Sequence, residues 1–301
     1  MRVRIIANPV SGMGRAARLL PQLVEALRAG GAETSVDVTA RAGDAREAAK
    51  GAGAADAVVA VGGDGTVNEV LNGLPLEAGA RAPALGVLPT GTANVLAKEL
   101  RLTRRPEEVA RAVLAGRTLP WDVGVREETG QRFLLMAGAG FDAAVVHDFH
   151  ANRRGTIHMA QYLAWGLRFV AVYRPPRLRV EIDGAPVEGP VGFVLVFNGA
   201  EYGGPLRFSA GARPDDGLFQ VLLFRRAQPR DTVRLFAHGF LAAVLDRSLS
   251  LPGAEFRPAR RVRISADEPV PLQLDGDPAG FLPATFSIRP AAVRLIAPLG
   301  I

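Results

Sequence analysis

The chain contains no cysteine, four histidines, two tryptophans and, at Lys50 and Lys98, only two lysines among 36 basic residues. Each scarcity excludes a class of chemistry. Without cysteine there is no disulfide, no thiol nucleophile and no Cys-ligated zinc. The histidines at 147, 150, 158 and 238 do not form the HExxH pattern of a zinc protease, and they read as surface or packing residues. Because no Gly-Lys-Ser/Thr occurs, a Walker-type loop is absent; any phosphate must be held by backbone N–H groups, hydroxyls, arginine or a metal. No apolar run reaches the roughly 18 residues of a membrane-spanning helix, and no charged-then-apolar export segment opens the chain, so the expected location is the cytoplasm. Aromatics are 6% of the residues and the positive charge is dispersed, which speaks against nucleic acid as a partner.

What is present describes a globular protein with ample core. At 301 residues and 48% hydrophobic composition, two domains are expected. The net charge of +6 and the pI near 10.5, supplied almost wholly by arginine, suit an anionic surface.

Strand and helix patterns alternate through the first part. Val3–Ala7 reads as a strand, followed by the turn-rich Asn8-Pro9-Val10-Ser11-Gly12-Met13-Gly14 and a helical pattern carried by Leu19, Leu20, Leu23 and Leu27. Thr34–Thr39 is a second strand, then a helix over Asp44–Gly51, a third strand Ala57–Val61, a helix over Thr66–Asn72, a strand Ala84–Leu88, and a helix over Ala93–Leu100. This rhythm predicts an open parallel α/β sheet, with ligands at the carboxyl ends of its strands. Three glycine-containing loops, near residues 12, 63 and 91, leave that edge. After about residue 120 strand-like pieces dominate: Leu178–Ile182, Val191–Asn198, Leu218–Phe224, Val262–Ser265, Leu272–Leu274 and Val293–Ile296. The expected organisation is an α/β nucleotide-binding domain over 1–120 and a mainly β, sandwich-like domain over 121–301, whose last strand is a candidate to return to the first. Between them, Arg153–Tyr173 carries Met159, Tyr162, Leu163, Leu167 and Val170 at helical spacing, read as a packing helix with a basic face in preference to a membrane-contacting one.

The chemistry concentrates at Gly62-Gly63-Asp64-Gly65-Thr66-Val67-Asn68-Glu69, where a buried strand delivers a glycine-rich turn into a helix. Glycines there can adopt backbone angles closed to other residues, and the N–H groups and dipole of the helix start favour an anion. Asp64 cannot usefully face a bare phosphate, but it can hold a magnesium ion or its water shell. A metal-bound nucleoside triphosphate is the expected cargo.

Taken in order, Asn8-Pro9-Val10-Ser11-Gly12, Thr39 before Gly43-Asp44-Ala45, Gly62 to Val70, and Pro89-Thr90-Gly91-Thr92-Ala93-Asn94 resemble the diacylglycerol kinase catalytic domain, in particular the small bacterial lipid kinases related to sphingosine kinases. Asn198-Gly199, Tyr202-Gly203-Gly204 and Pro214-Asp215-Asp216-Gly217-Leu218 continue the likeness, which spans nearly the whole chain. The Gly-Gly-Asp-Gly-Thr element is shared with NAD kinases and phosphofructokinase-like folds; the ordered set is far more specific.

The resemblance implies a two-domain kinase with ATP and magnesium. Asn8, Pro9, Val10, Ser11, Gly12, Thr39, Gly62 to Glu69 and Thr92 would bind ATP. A magnesium ion would use the Asp216 carboxylate with the backbone carbonyls of Arg213 and Leu218, with Asp215 supporting the catalytic network. The family's general base is the Glu of an Asp-Gly-Glu; this chain reads Leu274-Asp275-Gly276-Asp277, which assigns the role to Asp277, one methylene shorter. The implied partners are a lipid alcohol, with diacylglycerol first, the anionic inner surface of a membrane, and as a further option a second copy of the chain in a homodimer. NAD kinase, and a catalytically weak nucleotide- or lipid-binding regulator, are the competing readings.

Overall fold

In the computed structural model, strand β1 (Arg2–Ala7) runs into helix α1 (Ser11–Ala29), followed by β2 (Glu33–Val38), α2 (Asp44–Lys50), β3 (Ala57–Gly62), α3 (Asp64–Gly73), β4 (Ala84–Pro89), α4 (Val95–Glu99) and α5 (Pro106–Ala115). The residues described are 1–76, 82–152, 173–199, 201–202, 206–207, 212–225, 231 and 253–299. The helix expected at Arg153–Tyr173 lies outside them except for Tyr173, as do Gly203 and Gly204. The chain divides into two units, Met1–Trp121 with Ala291–Ile301, and Asp122–Pro290.

In the N-terminal unit the strands pair in parallel in the order β2-β1-β3-β4. β3 and β4 are buried along their whole length, which is why Ala57-Val58-Val59-Ala60-Val61 reads as a continuous apolar run: in a parallel sheet covered on both faces every side chain meets protein. Leu23 and Leu27 of α1 and Val109 and Val113 of α5 close one face over Val3, Ile5, Val59 and Val61, each fully buried Val or Leu contributing about 1.5–3 kcal/mol. The register pairs Ala7 with both Val38 and Val61, and Gly62 with Pro89. The four strands therefore end at one edge, and the loops at Asn8, Thr39, Gly62 and Thr90 start there.

β5 (Thr118–Arg126) carries the chain into the second unit, which contains β6 (Arg132–Phe133), β7 (Met136–Ala139), α6 (Phe141–Asn152), β8 (Arg179–Ile182), β9 (Ala185–Pro186), β10 (Phe193–Phe197), β11 (Glu201–Tyr202), β12 (Leu206–Arg207), β13 (Phe219–Phe224), β14 (Ala254–Ala259), β15 (Arg261–Ser265), β16 (Pro271–Leu274), β17 (Asp277–Phe281) and the start of β18 (Ala284–Ile296). One antiparallel sheet has the order β14-β13-β10-β7-β16-β17; the first half of β18 pairs antiparallel with β15, and β15 with β8. The core forms where these two layers meet. Phe133 stacks on Phe219 and meets Phe286 edge-on, at ring-centroid distances of 5.7 and 5.8 Å. Gly124 is required beside them, because a Cβ there would lie 2.1 Å from the Phe133 ring. This is the α/β plus β-sandwich architecture expected from the sequence.

Several elements differ from the sequence reading. α6 has no amphipathic period to detect, being buried from Phe141 to Val146. β18 extends far beyond Val293–Ile296 and runs through Pro290: its early residues pair with β15 while Leu295 pairs with Leu85 of β4. α4 starts only at Val95, because Asn94 sits at φ 47°, outside the helical range. Among the described residues no helix is long and apolar enough to cross a membrane.

Candidate active site

At the carboxyl edge of the N-terminal sheet, three loops are locked to one another. Asn8 N–H donates to Val61 O at 3.0 Å and Thr90 N–H to Gly62 O at 2.9 Å, so the first and third loops each bond to the strand that feeds the second. The Thr90 hydroxyl donates to Ser11 Oγ at 2.9 Å, and the Arg15 guanidinium donates to Thr90 O at 3.3 Å. Contact is so close that side chains are excluded. Gly12 has φ +61°, and a Cβ on it would lie 1.9 Å from Thr90 O; one on Gly91 would lie 2.6 Å from Gly63 Cα. Gly12, Met13 and Gly14 are all left-handed, so the regular part of α1 begins only after them. The Asn8 side chain supports the first turn by accepting Val10 N–H at 3.3 Å, while Val10 itself is exposed.

The remaining expected nucleotide residues occupy the same edge with different duties. Thr39 follows β2 and donates its N–H to Ala7 O at 2.9 Å. Asp64 opens α3, half-buried, and its Oδ1 accepts Leu96 N–H at 3.4 Å, which places the carboxylate at the start of α4. Glu69 is turned away to accept the Ala45 N–H of α2 at 3.2 Å. Thr66 and Val67 are buried; Asn68 accepts from Asn72 Nδ2 at 3.0 Å. Thr92 is exposed on the third loop. The neighbouring Asn94 is buried with its amide donating to Gly91 O at 2.6 Å, and its Oδ1 has no hydrogen-bond donor among the described residues.

In the second unit a hydrogen-bonded chain runs between the two acidic turns. Gly217, at φ +72°, donates its N–H to Asp122 Oδ2 at 2.7 Å, and Asp122 N–H donates to Pro214 O at 2.6 Å. The Asn198 amide, fully buried, donates to Asp122 O at 2.8 Å and to Leu134 O at 2.7 Å. Asp275 then accepts the Leu134, Leu135 and Met136 N–H groups at 2.8, 2.9 and 3.0 Å. Asp275 and Gly276 both have positive φ and form the two-residue turn that pairs Leu274 with Asp277, the geometry that closes a tight hairpin. Gln273 Oε1 accepts Gly276 N–H at 2.8 Å while its amide donates to Asp142 at 2.8 Å. The turn is thus pinned on both sides, while Asp277, the first residue of β17, presents a carboxylate that these bonds do not consume. Arg213, Asp215 and Asp216 are exposed and Leu218 is half-buried; Arg213 donates to Asp215 Oδ1 at 3.3 Å, and Asp216 Oδ1 accepts Leu218 N–H at 2.9 Å.

Residues 2–125 match the diacylglycerol kinase catalytic domain, and residues 136–297 the YegS C-terminal NAD kinase beta sandwich-like domain. The chain is 32% identical over 291 residues to a diacylglycerol kinase of Bacillus subtilis, covering 95% of this chain and 92% of that protein. The chain belongs to the diacylglycerol kinase family. A Staphylococcus carnosus diacylglycerol kinase is 29% identical, covering 95% of this chain and 91% of that protein. A solved structure of a diacylglycerol kinase from Bacillus anthracis superposes with a TM-score of 0.73 at 19% identity, covering 100% of this chain and 98% of that one, a likeness of fold.

The diacylglycerol kinase family uses ATP, and the N-terminal edge fits a nucleotide: the glycines leave a cradle that a Cβ at 12 or 91 would fill, and the first turn of α3 carries N–H groups by necessity of helix geometry. For magnesium, the Asp216 carboxylate and the Arg213 and Leu218 carbonyls are hard oxygen donors of the right kind. One Asp216 oxygen already accepts Leu218 N–H, and among the described residues no three Asp, Glu or His side chains gather to hold a metal; a magnesium ion there would depend on backbone carbonyls and water for the rest of its shell. Sequence reasoning overlooked Asp122, Asp142 and Gln273, and it read His150 as a surface or packing residue. Only Asn198 had a signal, as part of the motif set.

Proposed function

We propose that the protein is an ATP-dependent lipid kinase that transfers the γ-phosphoryl group of ATP to the hydroxyl of diacylglycerol, giving phosphatidate. The carrying observation is the three-loop juncture at the N-terminal sheet edge, where glycines, hydroxyls and a helix start converge without a lysine. Phosphoryl transfer demands mainly positioning and neutralisation of charge. Backbone N–H groups at Gly12, Gly63 and the start of α3 would hold phosphate oxygens, and Asp64 would hold a magnesium ion or its water. Bound magnesium supplies charge neutralisation for the transferring group, with Asp216 and the Arg213 and Leu218 carbonyls as a second set of candidate ligands and Asp215 as their support. Asp277 accepts the proton of the attacking hydroxyl. Arginines on the surface dock the protein on anionic lipid, from which the acceptor is drawn.

The test is incubation of purified protein with labelled ATP, magnesium and a mixed lipid extract, with products resolved by chromatography. Labelled phosphatidate is the expected product. Labelled NADP from added NAD, with no lipid product, would replace this reading by NAD kinase; ATP binding without any labelled product would replace it by the regulator.

A further inference from the structure

α6 lays its last turns against β16 and β17, the strands that flank the Asp275-Gly276 turn. His150 Nε2 lies 3.6 Å from Asp277 Oδ1, and its Nδ1 lies 2.9 Å from Val146 O. A carbonyl oxygen only accepts, so Nδ1 must carry a proton. Nε2, facing the carboxylate, is then the basic nitrogen. With both groups unprotonated, a lone pair opposes an anion; one proton between them turns the contact into an ion pair. The imidazole is 30% and the carboxylate 47% exposed, so a proton held there can reach water.

Among the described residues, the other charged groups on α6 and the strands packed against it are engaged elsewhere, Arg126 donating to Ala279 O and Phe281 O of β17. His147 Nε2 bonds to Leu272 O, Asp142 accepts from Gln273, Asp148 accepts from Asn152, and Asp275 accepts three backbone N–H groups.

Resting on the reading of Asp277 as general base, we propose that His150 is a positioning residue acting through Asp277 and the station to which Asp277 passes the substrate's proton. As the acceptor oxygen attacks phosphorus, its O–H bond breaks and the proton moves to Asp277; the P–O bond to the leaving diphosphate breaks with its electron pair. The proton then forms the Nε2–H bond of His150, the carboxylate regains its charge, and the imidazolium releases the proton to water. The histidine also orients the shorter aspartate, which has one fewer rotatable bond than the family's glutamate with which to find its own position.

Two measurements on the full-length protein test this. In the first, the ring protons of the four histidines are followed by NMR against pH, His150 being assigned by its absence in His150→Gln. In Asp277→Asn the His150 midpoint should fall by about one pH unit or more, because the neighbouring charge that favours the imidazolium is gone; an unchanged midpoint overturns the pair. The second is the pH profile of turnover. His150→Gln should lower kcat about tenfold at pH 8, within the range of a positioned proton acceptor, with the KM for ATP unchanged, and should remove the acid limb belonging to a histidine. A midpoint that moves while His150→Gln keeps both kcat and the acid limb makes the contact a structural ion pair and overturns the relay, leaving the base assignment intact if Asp277→Asn is inactive. Full turnover by Asp277→Asn removes the base itself, and this inference with it.

Discussion

Replacing Asp275 by Asn removes one acceptor oxygen and leaves the hairpin otherwise unaltered. Asp275 sits at φ 49°, a left-handed conformation that Asn tolerates as well as Asp, so the substitution isolates the hydrogen bonds. In the parent, Oδ1 accepts Leu135 and Met136 N–H and Oδ2 accepts Leu134 N–H. Whichever way an Asn amide is turned, its NH2 group faces at least one of those donors. The surviving bonds lose their charge assistance, about half their strength, and a backbone N–H left without an acceptor costs about 1–3 kcal/mol. Together the loss should reach about 3–5 kcal/mol. For a unit of this size each kcal/mol moves Tm by about 2–4 °C, so a fall of roughly 6–20 °C is expected in thermal unfolding followed by circular dichroism. Asp277→Asn provides the contrast. Its carboxylate is half-exposed beside one histidine, a contact worth about 1 kcal/mol or less; Tm should stay close to the parent while turnover falls roughly 10²-fold or more. The reasoning fails if Asp275→Asn melts within 2 °C or so of the parent, and the base is misassigned if that variant is folded and dead while Asp277→Asn turns over normally.

Asp64→Asn should abolish lipid phosphorylation with the fold intact, because an amide of the same shape can still accept Leu96 N–H but cannot replace a metal-organising charge; activity near that of the parent removes Asp64 from the mechanism. Gly12→Ala must relieve a 1.9 Å approach to Thr90 O and sustain φ +61°, the latter alone costing about 1–2 kcal/mol; the KM for ATP should rise about tenfold, and an unchanged KM separates this loop from the nucleotide. Asn198→Asp should be among the most damaging buried substitutions, since a carboxylate would face the carbonyl oxygens of Asp122 and Leu134. Burial against acceptors raises that carboxyl's pKa in the folded state, so the stability deficit should shrink as pH falls and the group protonates; a deficit independent of pH refutes this account. Binding to vesicles containing anionic lipid should weaken as salt rises, with about 1 kcal/mol per engaged arginine; equal binding to neutral vesicles at every salt concentration contradicts electrostatic docking.

The N-terminal half was legible because its signals are local. β3 is a run of Ala and Val buried on both faces, and the Asn8, Gly62 and Thr90 loops carry residues whose backbone and hydroxyl chemistry announces a phosphate site. Even their meeting at one edge followed from the strand-helix alternation, since parallel strands must end together. The second unit was less legible: α6 is too uniformly buried to show a period, and β18 hides its continuity behind Pro290.

By itself, the sequence determined the fold class, the family and the list of polar loops, since these depend on residue type and spacing along the chain. Tertiary structure alone decided which donors each acid meets. Asp275 and Asp277 are chemically identical and two positions apart, yet one has its oxygens consumed by the N–H groups of Leu134, Leu135 and Met136, more than a hundred residues earlier in the chain, while the other is left facing His150. Glu69, placed in a nucleotide motif, is committed to the start of α2. A carboxylate's role is set by the donors within about 3 Å of it, and here those donors come from distant segments that only folding brings into reach.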